Sequence, residues 1–283
     1  MKMHLKRDKI LQTLSVDSIL LLIAVIFIVP LIYMISTAFK TPEQTAAFPP
    51  TLIPSPFSVR SFKEALSGDS FFIYLKNTVY ITFMATLGTL ISSSLVAFGF
   101  ARLKCRLKNF WFTLMLSTMM IPSMVTLIPT YSMYSRMGFV NTFVPLILPY
   151  FFGGSAYSIF LLRQFFLTIP NELSEAAFLD GCSWLHVFTR IYLPNSKPAL
   201  IVVAIFSFVN NWNDFFNPMI YLSSPEKFTI SIGLAEFKKM YGGAMDIGPL
   251  MAMSLLCVIP LIVLYLFGQK YLVEGIATTG IKG

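Results

Sequence analysis

Charge is scarce in this chain: Asp, Glu, Lys and Arg make up 12% of its 283 residues, against 56% hydrophobic residues and a mean hydropathy of +0.73. That balance excludes an ordinary soluble domain, in which about a quarter of the residues are charged. Histidine is nearly missing. His4 lies in a basic N-terminus and His186 in a polar connector, and neither has the neighbours of a metal ligand. The three cysteines, Cys105, Cys182 and Cys257, stand apart, with neither ligand spacing nor a disulfide framework. No G-x-x-x-x-G-K-S/T phosphate loop occurs, and no acid pair or Ser-His-Asp set has a defensible spacing. The chain therefore reads as non-catalytic, with no metal and no cofactor of its own.

Long apolar runs dominate what is present. Six of them approach or exceed the ~20 residues that cross ~30 Å of hydrocarbon. They lie at about 16–36, 71–101, 110–133, 142–168, 199–222 and 248–269. The expected fold is an all-α membrane protein with six transmembrane helices, a 1–15 N-terminal segment and a 270–283 tail. The basic start followed by an apolar run resembles a signal peptide. However, the run is too long for a typical h-region and has no small-residue cleavage site, so it is expected to remain as the first span, with Pro30 a candidate kink. Residues 38–70, with five prolines, read as a loop, and so do 223–247.

The second run repeats Ala85, Thr89, Ser93, Ala97 and Ala101 every four residues, with Gly88 and Ser92 alongside. Such a stripe lets membrane helices approach closely, and packing is its expected role. Pro122 and Pro129 interrupt the third run; Pro145, Pro149 and the Gly153-Gly154 pair interrupt the fourth. Breakers of this kind are tolerated where neighbours or a water-filled path satisfy the backbone.

Six spans put both termini on one side. That side carries thirteen Lys and Arg and the other seven, or eight with Lys76, so the termini and the 170–198 connector are expected inside. The net charge of +8 is explained by this orientation in a lipid bilayer, because the basic residues are scattered between apolar runs; no nucleic-acid partner is expected.

The fifth run contains Asn210, Asn211, Trp212, Asn213, Asp214, Asn217 and Pro218. Counted from Ala199 at about 1.5 Å per residue, Asn210 falls near the bilayer midplane and Asp214 in the outer half. Asn210, Asp214 and Asn217 share a face by their four-and-three spacing. A carboxylate facing lipid would be costly, so this face should meet protein or a water-filled cavity. Amides, a carboxylate and an aromatic ring suit a polyhydroxylated ligand. Lining of a substrate pathway and hydrogen bonding between helices are both open readings.

Between the fourth and fifth runs lies PNELSEAAFLDGCSWLHVFTRIYLPNSKP, residues 170–198. Asn171 is an expected N-cap with Glu172 and Glu175 near the positive end of the helix dipole. Asp180-Gly181 supplies a turn, and Ser183 can cap a second helix carrying Leu185, Phe188 and Ile191 toward one side. Pro194 and Pro198 stop that helix from running on unbroken. The expected product is a compact helix-turn-helix knob.

Glu-Ala-Ala at 175–177, Gly181, Ile191, Leu193 and Pro194, at this spacing, resemble the EAA loop of ABC-importer permeases. The resemblance implies a coupling helix that docks into a cleft on a cytoplasmic ATPase, with Glu175, Ala176, Ala177, Asp180, Gly181, Ile191, Leu193 and Pro194 as the coupling residues. Cys182 and His186 depart from the pattern, and Asp180 is a common but not required choice in it. Leu75-Lys76-Asn77-Thr78, Ala101-Arg102, Ile128 to Tyr131, Gly138 to Thr142 and the Asn-rich fifth run resemble the carbohydrate branch of that family, with its shorter maltose-type permease. The branch implies a homologous second permease subunit and two cytoplasmic ABC ATPases that carry the ATP-Mg. It also implies an extracytoplasmic solute-binding protein and a place in the bacterial inner membrane. By the same resemblance, 275–283 would reach between the ATPases, and the 223–247 loop with Gly242-Gly243 would reach toward the binding protein's sugar. Two other readings stay open: the same machinery serving another solute, such as a glycerol phosphate ester, and a proton-coupled secondary transporter centred on Asp214.

Overall fold

The computed structural model describes residues 2–67, 70–242 and 246–280, with side chains from 16 to 67, 70 to 242 and 246 to 272. Among them every regular element is a helix. In chain order these are α1 (Lys2–Ala38), α2 (Pro42–Ala46), α3 (Arg60–Ala65), α4 (Ser70–Arg102), α5 (Lys108–Ser117), α6 (Ser123–Arg136), α7 (Val144–Phe151) and α8 (Ala156–Thr168). They continue with α9 (Asn171–Leu179), α10 (Trp184–Val187), α11 (Leu193–Asn195), α12 (Lys197–Trp212), α13 (Phe216–Tyr221), α14 (Ile230–Tyr241) and α15 (Gly248–Gly280). Among the described residues four stretches are long and apolar enough to cross a membrane, Val16–Ala38, Ser70–Arg102, Val144–Thr168 (α7 with α8) and Gly248–Leu272, or up to six if each of two bent pairs counts as one span.

One compact unit comprises 1–69 and 234–258. The apolar part of α1 is exposed from 16 to 30, with burial starting at Ser36 and Thr37; Pro30 sits inside α1 without ending it. Beyond α1, Phe39 stacks on Phe57 at 4.5 Å and contacts Phe62 at 4.8 Å. Lys40 is 2% exposed, its Nζ 5.0 Å from the Tyr33 ring centroid. Burial lowers the Lys40 pKa, since desolvation disfavours the charged form. The Asp246 carboxylate accepts from the Gly248 N–H at 3.0 Å and pairs with Arg60 at 3.6 Å. Residues 38–70 thus carry two short helices, α2 and α3, where a plain loop was expected.

The other unit, 70–233 with 259–283, is built on α4. Its four-residue stripe is its buried face: Ala85, Ser93 and Ala97 are 0% exposed, Thr89 1% and Ala101 7%. Small side chains there let α7, α8 and α12 pack against α4. A β carbon on Gly88 would come within 2.6 Å of the Phe151 ring. The Ser92 hydroxyl donates to the Tyr150 carbonyl at 2.7 Å, and Ser207 Oγ donates to Thr89 Oγ1 at 3.3 Å.

Several runs expected as single helices are broken. The third bends by 97° at Pro122, whereas Pro129 lies within α6 without ending it. Proline has no N–H to give the preceding turn, and the residue before it is pushed out of the helical region; Ile121 is indeed extended. The fourth is interrupted between α7 and α8, where Gly153 has φ +86°. The fifth, expected over 199–222, ends its first helix at Trp212 and resumes at Phe216. The 223–247 stretch, expected as a loop, contains α14. Its first N–H, on Ile230, donates to the buried Thr78 Oγ1 at 2.8 Å, and Ile230 and Ile232 are buried. Gly243 and residues 281–283 lie outside the described residues, as do the side chains of 273–280, so the expected roles of the tail and the Gly242-Gly243 pair fall there.

A β carbon on Gly154 would stand 2.5 Å from the Tyr150 Cα, a clash that only backbone movement relieves. Gly154→Ala is expected to cost about 1–3 kcal/mol, as overpacking does. It should be read as a lower unfolding midpoint of the detergent-purified protein; an unchanged midpoint would show that the break yields freely.

Candidate functional site

Two places gather the polar chemistry, both within the unit built on α4. The first is a cavity of about 210 Å³. Its walls come from α4 (Thr78, Ile81), α6 (Thr130, Tyr134), α7 (Pro145, Leu146, Pro149, Tyr150) and the broken fifth run (Asn211, Asp214, Asn217, Pro218, Tyr221), with Thr229. The break makes the site. Asn213 Nδ2 donates to the Val209 carbonyl at 2.9 Å, at the end of α12. Asp214 then takes two donors from Asn217: the backbone N–H at 3.1 Å on Oδ1 and Nδ2 at 2.8 Å on Oδ2. These side-chain bonds hold Asp214 just ahead of α13, whose N-cap position is Phe215.

The face predicted from helical spacing therefore needs correction. Asn210, Asp214 and Asn217 do not share one continuous helix; Asn211, Asp214 and Asn217 line the cavity, while Asn210 and Asn213 are exposed and absent from its lining. Trp212 is not the ring available to a ligand. It is 3% exposed, stacked 5.5 Å from Phe208, and its carbonyl accepts from Ser231. Sequence reasoning missed the rings that do line the wall, Tyr134, Tyr150 and Tyr221, the first and last 5.7 Å apart in an edge contact. The breakers Pro145, Pro149 and Gly153-Gly154 around Tyr150 were the available signal.

Asn211 spends its Nδ2 on the Ser207 carbonyl at 2.8 Å, leaving its side-chain oxygen as an acceptor. Phenol and threonine hydroxyls, amides and one carboxylate offer donors and acceptors in many directions. No Lys, Arg or His is in the lining. Among the described residues no group of three His, Cys, Asp or Glu could hold a metal.

The second place is the knob. α9 ends in a Schellman turn: the Gly181 N–H reaches the Phe178 carbonyl at 3.0 Å and the Cys182 N–H the Ala177 carbonyl at 2.9 Å, with Gly181 at φ +79°. Ser183 Oγ accepts from the His186 N–H at 3.3 Å and caps α10. A π turn, Phe188–Tyr192, follows, and the pieces on either side of Ser196 meet at 79°. Asn171 is the first helical residue and not the N-cap, which is Pro170; its side chain accepts from Arg102 instead. Leu185 does not share a side with Phe188: it is 66% exposed, whereas Phe188 is buried. The expected coupling residues divide. Ala177, Ile191 and Leu193 pack against the core, whereas Glu175, Ala176, Asp180, Gly181 and Pro194 are exposed, as are Leu179 and Leu185.

A family model described as binding-protein-dependent transport system inner membrane component matches residues 88–278. The chain belongs to this family. It is 37% identical to a putative ABC transporter permease protein of Caldicellulosiruptor sp. over 90% of this chain and 92% of that one. It is 32% identical to the arabinooligosaccharides transport system permease protein of Halalkalibacterium halodurans, over 92% of this chain and 93% of that one. Its fold is shared with a bacterial ABC transporter involved in the import of the acidic polysaccharide alginate, at TM-score 0.81 and 22% identity, covering 91% of this chain and 95% of that one. As a family member the chain is a membrane component of a transport system.

The two bonds from Asn217 to Asp214 carry a prediction. Asp214→Ala is expected to cost about 1 kcal/mol, as the loss of a hydrogen bond does, and Asp214→Asn less. Thermal unfolding in detergent checks this; equal midpoints for both variants and the parent would remove the role of these bonds.

Proposed function

We propose that this chain is the permease subunit of an ATP-driven, binding-protein-dependent importer of a sugar or oligosaccharide. The single observation that carries the solute class is the cavity. Hydroxyls, amides, a carboxylate and tyrosine rings line it without a cation, which fits an uncharged polyhydroxylated ligand better than a phosphate ester. The saccharide named for the relative from Halalkalibacterium supports the same reading.

In this reading the broken fifth run and the α7 wall form one side of the substrate pathway, with Asn211, Asp214 and Asn217 offering hydrogen bonds to hydroxyl groups. A homologous second permease supplies the other side. Two cytoplasmic ABC ATPases bind ATP-Mg, and their closure pushes on the knob through the exposed surface around Glu175, Ala176, Asp180 and Gly181. An extracytoplasmic binding protein delivers the solute. The chain itself catalyses nothing, and the excess of Lys and Arg on the side of the termini supports a cytoplasmic position for the termini and the knob.

Mild-detergent purification of the tagged chain from its native membrane tests this: a second permease and an ATPase should come along, and isolation as a homo-oligomer would overturn it. Gly181 supplies a sharper check. No atom lies within 4 Å of where its β carbon would be, so the cost of substitution is the positive φ, about 1–2 kcal/mol. Asn tolerates that conformation and a β-branched residue does not. Gly181→Asn should keep the ATPase bound, whereas Gly181→Val should reach the membrane and lose most of it.

A further inference from the structure

The geometry points to Arg102 as the positioning residue that ties the knob to α4, so that movement of one is carried to the other. Four contacts converge on this one guanidinium. Nη2 donates to the Phe166 carbonyl at 2.6 Å and also to the Ile169 carbonyl. Both carbonyls sit at the C-terminal end of α8, the negative end of its dipole; the Phe166 carbonyl also takes the capping Ile169 N–H at 3.4 Å, so the guanidinium shares it. Nη1 donates to the Asn171 side chain at the start of α9. The guanidinium also lies 5.1 Å from the ring centroid of Tyr192, a cation–π arrangement.

Tyr192 extends the tie. It is 0% exposed, and its hydroxyl lies 2.9 Å from Ser174 Oγ in α9. The last turn of α4 thus holds the end of α8, the first residue of α9 and the ring that ends the π turn. Only a planar fork with several fixed donors does this; a lysine amine is a single point that cannot serve acceptors on two elements and stack on a ring. The other bases of the 102–108 loop, Lys104, Arg106 and Lys108, are shown with none of these contacts, so Arg102 has a role beyond the inside-positive charge bias. Aromatic packing reinforces the same joint: Phe98, one turn back on α4, contacts Tyr192 at 5.0 Å and Phe188 at 5.1 Å.

The inference rests on the knob being the ATPase contact, and the cysteines allow the two to be tested apart. Cys182 packs half-buried against the core beneath the knob, Cys257 is buried elsewhere, and Cys105 is exposed. In native membranes, alkylation by N-ethylmaleimide, followed by peptide mass spectrometry, reads each site. Arg102→Ala should raise the Cys182 rate at least threefold and leave Cys257 unchanged, with Arg102→Lys giving no more than partial rescue. An unchanged Cys182 rate would overturn the tie. Should Arg102→Ala open Cys257 as well, Asn171→Ala decides, because it removes one acceptor only: a rise at Cys182 alone supports the tie, and no rise overturns it. Transmission is read on the purified complex as the ratio of ATP hydrolysis with and without the co-purifying binding protein. That ratio should fall toward one in Arg102→Ala; a parental ratio in a variant with a freed Cys182 would overturn transmission. Absence of any ATPase from the parent complex would sink the coupling reading instead.

Discussion

Close approach along one face of α4 is the constraint on which the second unit depends. Three helices, α7, α8 and α12, reach the same rod, and they can do so because Ala85, Thr89, Ser93, Ala97 and Ala101 give it almost no side-chain height. In a membrane the usual hydrophobic drive between helices is missing, so dispersion contacts at short range and a few hydrogen bonds do the work. The polar members of the stripe are used accordingly. Thr89 Oγ1 donates to its own helix at Ala85 and receives Ser207 Oγ from α12. The cavity wall inherits its position from this arrangement, since Ser92 holds the carbonyl of Tyr150.

Breaks in the helices then create the chemistry. A continuous helix through 199–222 would have buried its backbone groups in its own ladder and presented one polar stripe. Instead, Asn213 and Asp214 capture backbone groups with their side chains, α12 stops at Trp212, and α13 restarts at Phe216. The same logic applies at the knob, where a left-handed glycine and a serine cap turn the chain twice within a few residues.

Local rules made much of this readable from the residues. The four-residue repeat identified the buried face of α4, Gly181 the end of α9, and Ser183 the start of α10, because each depends on side chains a turn or less apart. Where partners come from distant segments, the residues were silent. Asn171 looked like a helix cap because nothing nearby announces Arg102, sixty-nine positions earlier, as its partner. Asn210 was preferred to Asn211 because helical counting assumed that the helix continues past Trp212. The α14 segment read as a loop because its anchor is Thr78 on α4. Tyr134, Tyr150 and Tyr221 looked like ordinary apolar-run aromatics, since a cavity exists only once helices from different parts of the chain converge.

The exposed girth of α1 has a consequence for how this sequence can drift over time. From 16 to 30 no side chain of that helix is buried within the chain. Any large apolar residue there meets the same requirement as any other, so exchange among Leu, Ile, Val and Phe is nearly free. Positions along the α4 stripe have no such latitude, because each added methyl group displaces a neighbouring helix. Kinship should therefore fade first in α1 and persist longest from the middle of α4 onward.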